Sequence, residues 1–220
     1  MSAPERITYL ARRHPSFSTR AEWVPRWREH WALAASQPES ATVRRYAQGE
    51  VLLDAAEPRH DGMAYAEYVS PEARLRNRAA QGYHSIMSAD EAVVFDQLIL
   101  GCSFFGTHHL LAGDVSAPFA VVRFVRRAWV GQDFALTWER WAEPWSTLPH
   151  GMRGIAQTRA LPAPPDGWGL DVDGCEEYRF ATLGAARMFF EGVELAQRTA
   201  EAPFVVTDAV MVHDVVLKDG

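Results

Sequence analysis

Between Arg6 and His14 the side chains alternate, with Ile7, Tyr9 and Ala11 on one face and Thr8, Leu10 and Arg12 on the other. That is the period of a half-buried strand, and Pro15 ends it. Ser18-Thr19 ahead of Glu22 is a helix-start signal, and Trp23, Trp27, His30, Trp31 and Ala34 then recur at spacings of three and four. A helix is therefore predicted to about Ser36, with an aromatic stripe suited to packing on a sheet. Strands follow over Thr42 to Gln48 and Met63 to Val69, separated by a loop with Pro58 and Gly62. Ser70-Pro71-Glu72 opens a second helix, with serine as cap and proline at the first helical position. Gln81 to Ser85 reads as a loop, Ser88-Ala89-Asp90-Glu91 as the start of a short helix to Leu98, and Gly106 to Ala112 as a strand. The order β-α-β-β-α-(α)-β is the ferredoxin-like split arrangement.

The same order recurs. Strands are predicted over Ala120 to Arg127, Met152 to Ala160, Cys175 to Ala181 and Phe204 to Leu217, with helices over Gln132 to Trp145 and Leu183 to about Ala200. Leu10-Ala11-Arg12-Arg13 aligns with Phe124-Val125-Arg126-Arg127, and Trp23, Trp27 and His30 align with Phe134, Trp138 and Trp141 at one constant offset. A tandem duplication with its junction near Asp114 to Pro118 is expected, giving repeats over 1–115 and 116–220. A four-stranded sheet with helices on one face leaves its other face bare, and stacking two bare faces covers both. The expected fold is thus α+β, two ferredoxin-like βαββαβ repeats whose antiparallel sheets pack into one α/β barrel.

Composition narrows the function. The chain has 220 residues, 48% hydrophobic and 23% charged, which excludes a disordered, collagenous or coiled-coil protein. Its net charge is −6, and Lys218 is the single lysine among 22 basic residues. An acidic total with no basic block argues against nucleic acid as a partner. Cys102 and Cys175 are too few for a disulfide framework, and no spacing resembles a zinc site, so they read as reduced packing residues. No apolar stretch approaches the roughly 20 residues that span a bilayer. The N-terminus has no secretory pattern, so a cytoplasmic protein without a membrane partner is expected.

The stretch Tyr9-Leu10-Ala11-Arg12-Arg13-His14-Pro15-Ser16-Phe17-Ser18, then Trp23, then Trp27-Arg28-Glu29-His30-Trp31-Ala32-Leu33, then Arg45-Tyr46, resembles the EthD family of the dimeric α/β barrel superfamily. Trp27 and His30 fall on that family's Trp and His, Arg45 and Tyr46 on its Arg-Tyr strand, and Asp90-Glu91 with Phe95 on its later acidic element. The second half departs from the pattern: Trp141 stands where the histidine is expected, and Met152 to Arg159 has no Arg-Tyr equivalent. The resemblance implies one asymmetric site per chain, in the first repeat. It also implies a superfamily that carries cofactor-free oxygenases, polyketide cyclases, isomerases, dehydratases and haem enzymes, so the reaction must be argued from the site.

His30 is the first candidate, as acid or base, against a structural role in which it fixes the helix to a neighbouring strand. His84, with Tyr83, would sit in a loop over the cavity mouth, where a His, a Tyr and Asp90 could abstract a proton and hold an oxyanion. His108 and His109 are consecutive on a strand, point to opposite faces and cannot chelate together. Tyr9, Tyr46 and Tyr65, with Glu67 and Arg44, are strand residues available to line a cavity. Alternation puts Tyr65 with Glu67 and Arg44 with Tyr46, and a buried Glu67 would be an acid or half of an ion pair. The tryptophans of the two main helices read mainly as core, while Trp27, Met87 and Met63 with Phe104 and Phe105 are candidate walls for a flat apolar ligand. The expected catalytic set is His30, His84, Tyr46 and Asp90. Tyr9, Trp27, Arg44, Tyr65, Glu67, Tyr83 and Met87 are the expected substrate contacts, with no cofactor and no metal. The leading reading is a cofactor-independent enzyme of lyase or cyclase type (dehydration, decarboxylation or cyclisation by proton transfer) on a hydrophobic aromatic or polyketide-like molecule. The alternatives are a cofactor-free monooxygenase and a non-catalytic metabolite-binding or interaction protein. A monomer with a pseudo-dimeric barrel and a homodimer both satisfy the sequence.

Overall fold

The computed structural model describes residues 3–54, 60–142, 148, 151–162, 169–192 and 202–219. The chain runs through β1 (Glu5–Ala11), α1 (Arg20–Ala35), β2 (Val43–Asp54), β3 (Gly62–Tyr68), α2 (Pro71–Ala79), α3 (Gln81–Val94) and β4 (Ser103–Gly113). It continues through β5 (Phe119–Arg127), α4 (Phe134–Ala142), β6 (Met152–Ala160), β7 (Gly174–Phe180), α5 (Leu183–Glu191) and β8 (Phe204–Asp219). Every strand pair is antiparallel, and the strands close a barrel in the order β1-β3-β2-β8-β5-β7-β6-β4. The order β4-β1-β3-β2 is a ferredoxin-like sheet, and β8-β5-β7-β6 is a second one. The seams β2·β8 and β4·β6 join them, so closure leaves no sheet edge unpaired.

Each sheet has a barrel face and a helix face. The barrel face is filled from both sheets, with Leu10, Met63, Tyr65 and Phe104 of the first meeting Ala120, Phe124, Cys175 and Val210 of the second. Charges share this interior: Arg6 contacts Glu177, Glu177 bonds Arg179 at 2.7 Å, and Arg179 contacts Asp214. The guanidinium of Arg6 lies 4.8 Å over the Tyr65 ring. His108 is buried here, its Nδ1 3.1 Å from Thr158 Oγ1, while His109 faces out. The cations Arg6 and Arg179 deepen the effect of burial, which holds the His108 pKa well below its usual value.

On the helix face of the first sheet, Trp23 and Trp27 of α1 are fully buried and stack at 4.6 Å. Gly62 permits this, because a Cβ there would meet both indoles, Trp27 at 2.5 Å. The start of α1 is fixed by a capping box, in which Thr19 accepts from the Glu22 amide and Glu22 accepts from the Thr19 amide.

Several boundaries depart from the sequence reading. β1 stops at Ala11, β4 starts at Ser103, and β2 runs on to Asp54 because its far end pairs with β8. One matters for function: α3 starts at Gln81, so Tyr83 and His84 are helical and not on a loop. The turn at Ala80 carries no side-chain cap, and Ser88, expected at the start of the helix, lies inside it. Among the described residues no helix is long and apolar enough to cross a membrane.

Candidate functional site

Where α1, α2 and α3 lift away from the helix face of the first sheet, they leave a cavity of about 290 Å3. The period of two along the strands aims Tyr9, Tyr46, Ala66 and Tyr68 into it from the sheet. The helical period brings His30, Trp31 and Ala34 from α1, and Tyr83, His84, Met87 and Glu91 from α3. Ile99 and Leu100, just before β4, and Phe105 on it complete the wall. The lining is aromatic and aliphatic with a few convergent polar groups, which is the usual make-up of a small-molecule site.

His30 is buried, and its Nδ1 lies 2.7 Å from Asp90 Oδ2. Arg26 donates to the other Asp90 oxygen. Burial pushes Asp90 upward, but the hydrogen bonds from Arg26 and His30 outweigh it and hold the carboxyl below its usual range. An ionised carboxylate only accepts, so His30 Nδ1 carries the proton and Nε2 holds a free lone pair. Burial lowers the His30 pKa, and the bond and charge of Asp90 offset this only in part. The ring is therefore neutral at neutral pH, poised as a base with its tautomer set by Asp90. Phe95 meets the ring edge-on at 5.2 Å.

A second group faces the same cavity. Tyr9 and Tyr46 share a 2.8 Å hydrogen bond between their hydroxyls. Trp27 Nε1 donates to Tyr9 at 3.2 Å, and Gln48 Nε2 donates to Tyr46 at 3.1 Å. The Gln48 amide cannot be turned round, because its nitrogen also donates to the Trp27 carbonyl at 3.0 Å. Both phenol oxygens thus accept from groups that only donate. Two phenol protons remain and the shared bond uses one, so the other is uncommitted among the described residues. Burial raises both pKa values, Tyr46 to about 12, so both stay protonated at neutral pH. Trp31 stacks on Tyr46 at 4.0 Å. Glu91 is buried at the same cavity, accepts from the Ile99 amide at 3.0 Å, and has its pKa raised by burial.

Of the residues singled out from the sequence, the structure brings His30, His84, Tyr9, Tyr46, Tyr83 and Met87 to this cavity. Asp90 stands behind His30. His84 faces the cavity, but its Nε2 lies 3.1 Å from the Asn77 carbonyl, tying it to the end of α2. Trp27 does not line the cavity and instead lies beneath Tyr9 as core. Tyr65 and Glu67 are placed away from it, because alternation along β3 turns them to the barrel face. Arg44 was expected beside Tyr46, yet a bulge between Val43 and Arg45 turns it onto Glu67, whose Oε2 it reaches at 3.0 Å. Glu67 is thereby half of an ion pair. Met63 and Phe104 also belong to the barrel interior. Gln48 and Arg78 also stand at this site, Gln48 sharing the face of Tyr46 by alternation, and Glu91 of the expected acidic element lines the cavity. Among the described residues, no three His, Cys, Asp or Glu side chains gather to hold a metal ion.

The second sheet is filled at the matching place. Tyr9 sits opposite Ala64 and Ala64 opposite Gln48, while on the second sheet Arg123 sits opposite Glu176 and Glu176 opposite Gln157. Glu176 is buried and bonds Arg123 Nε at 3.1 Å, Tyr178 at 2.9 Å, Trp141 Nε1 at 2.7 Å and Gln157 at 3.3 Å. Trp141, which the sequence aligns with His30, therefore closes a polar core.

Among solved structures, an anthrone oxidase-like protein superposes over 98% of this chain and 94% of its own, with TM-score 0.59 and 11% identity. A protein of Fusobacterium nucleatum, provisionally named a monooxygenase, covers 99% and 94% with TM-score 0.56 and 10% identity. A variant chlorite dismutase from Candidatus Nitrospira defluvii covers 97% and 92% with TM-score 0.54 and 10% identity. This chain has the fold of these neighbours. At such identities the likeness extends to the fold alone. No protein-family model and no curated protein matches the sequence.

Proposed function

We propose that the chain is a cofactor-independent, EthD-like enzyme made of two fused units, 1–115 and 116–220, that works on a hydrophobic aromatic or polyketide-like molecule by proton transfer in the first unit. The observation that carries this reading is the pairing, on one apolar cavity, of a neutral His30 oriented by Asp90 with a Tyr9–Tyr46 pair holding one uncommitted O–H. His30 Nε2 takes a proton from a carbon next to a carbonyl, and the tyrosine pair donates to the enolate oxygen that forms. Returning the proton to a departing hydroxyl gives dehydration, and attack of the enolate on a second carbonyl gives cyclisation.

A monooxygenase reading is favoured by the names of the anthrone oxidase-like and monooxygenase neighbours. The same proton removal yields a carbanion that reacts with molecular oxygen, converting CH2 and O2 into C=O and water.

Anthrone in an oxygen electrode separates the readings. The monooxygenase uses one O2 for each anthraquinone formed, whereas the lyase or cyclase uses none and must turn over a polyketone instead. A protein that quenches its tryptophan fluorescence with both compounds and converts neither is a carrier. For either enzyme, Tyr46→Phe is expected to lower kcat by about 10²-fold with KM little changed, as for loss of one oxyanion donor. Full activity in Tyr46→Phe and in Tyr9→Phe would remove the tyrosines from the mechanism.

A further inference from the structure

A second hollow of about 860 Å3 opens beside the first, lined on one wall by α2 and on the other by Leu161, Leu170 and Asp173. Arg78, Leu100 and Phe105 line both hollows and so stand on their shared boundary. The charges of the outer hollow are mostly matched within the protein. Arg74 bonds Glu5 at 2.6 Å, Arg127 bonds Asp173 at 3.1 Å, and Asp171 bonds Arg126 at 2.7 Å. Arg78 differs. It lies on the cavity side of α2 with its guanidinium 5.9 Å over the Phe105 ring, and among the described residues no carboxylate comes within ion-pair distance of it.

We infer that Arg78 is the specificity residue of the site and binds a carboxylate carried by the substrate at this shared boundary, while the ring system of the substrate fills the inner cavity. This rests on the proposed aromatic substrate. The Arg78 guanidinium lies near the Phe105 ring with its forked N–H groups unpaired by any carboxylate among the described residues, and that planar fork matches a carboxylate. One unmatched cation suits one negative charge. A phosphate or other polyanion would instead meet Asp171 and Asp173 on the facing wall. The carboxylate is thereby placed at the rim, so that a ring carbon, not the acid group, lies deep in the cavity beside His30 and Tyr46.

The test uses two ligands of equal shape, 2-naphthoate and neutral 2-naphthamide, titrated into the protein with tryptophan fluorescence as readout. The wild type is expected to bind the carboxylate about 10-fold more tightly than the amide, the size of one charge-assisted hydrogen-bonded pair. Arg78→Gln is expected to abolish that preference and leave 2-naphthamide unaffected. Arg76→Gln removes the same charge from a position of α2 that is exposed like Arg78 but lines neither hollow, and is expected to change neither affinity. If the wild type binds both ligands equally, or if Arg76→Gln acts as strongly as Arg78→Gln, the assignment of Arg78 falls while the aromatic cavity stands. If neither ligand binds, the assignment falls together with the aromatic reading.

Discussion

Replacing His30 by alanine is expected to lower kcat/KM by about 10²-fold or more, the contribution of a positioned general base. The fold should survive, because Asp90 keeps its partner Arg26 and the buried Trp23–Trp27 stack of α1 is untouched. The pH profile separates a base from a merely structural histidine. Burial lowers the His30 pKa, so the acid limb of activity should lie below the ordinary histidine value near 6.5, with activity lost as pH falls and the ring takes a proton. Asp90→Asn keeps the acceptor for Nδ1–H but removes the charge that stabilises the imidazolium, so the acid limb should move lower still and kcat should fall. A His30→Ala variant with wild-type kcat, or an acid limb that Asp90→Asn does not move, would exclude His30 as the base.

The largest effect on stability is expected at the matching place in the second sheet. Glu176 is the shared acceptor for Arg123, Tyr178, Trp141 and Gln157; Trp141 joins the layer of Trp138 and Phe204 under α4, and Tyr178 packs on Phe189 of α5. Glu176→Ala takes the carboxylate from a buried guanidinium and the acceptor from an indole N–H, and such losses cost about 3–5 kcal/mol. For a chain of this size that is a fall in Tm of roughly 10 °C, read by thermal unfolding. Glu176→Gln keeps the shape and one acceptor oxygen and should fall between the two. A drop of under roughly 2 °C for Glu176→Ala would mean that Arg123 finds another partner, and that the cluster does not hold the second helix layer in place.

These two predictions assign chemistry to one half and rigidity to the other, and the sequence carried part of that division. Alternation in β1 and the three-four spacing in α1 were enough to aim Tyr9 and His30 toward one layer, and Trp141 in the place of His30 already marked the halves as unequal. The acid that orients His30 is sixty positions away, and no local pattern joins residues 30 and 90. The Tyr9–Tyr46 bond depends on which strands pair, and β3 lies between β1 and β2, so it follows from topology and not from period. Two errors have definite causes. The bulge at Val43/Arg45 breaks the alternation on which the placing of Arg44 relied, and α3 begins without a capping side chain, so its start left no mark in the composition. The burial of Glu176, Glu177 and Arg179 along a single strand also runs against what their residue types suggest, because only closure of the barrel on one side and α4 on the other hides both faces of β7.

One apolar cavity, under α1 and α3, is expected to bring a substrate to His30 and to the tyrosine pair. A crystal structure of the protein with bound 2-naphthol tests it most directly. The ring system is expected beside Trp31 and Met87, with the ligand oxygen within hydrogen-bond distance of Tyr46 or Tyr9 and His30 Nε2 facing a ring carbon. A ligand seated under α4 and α5, or held only in the outer hollow with the inner cavity empty, would contradict it.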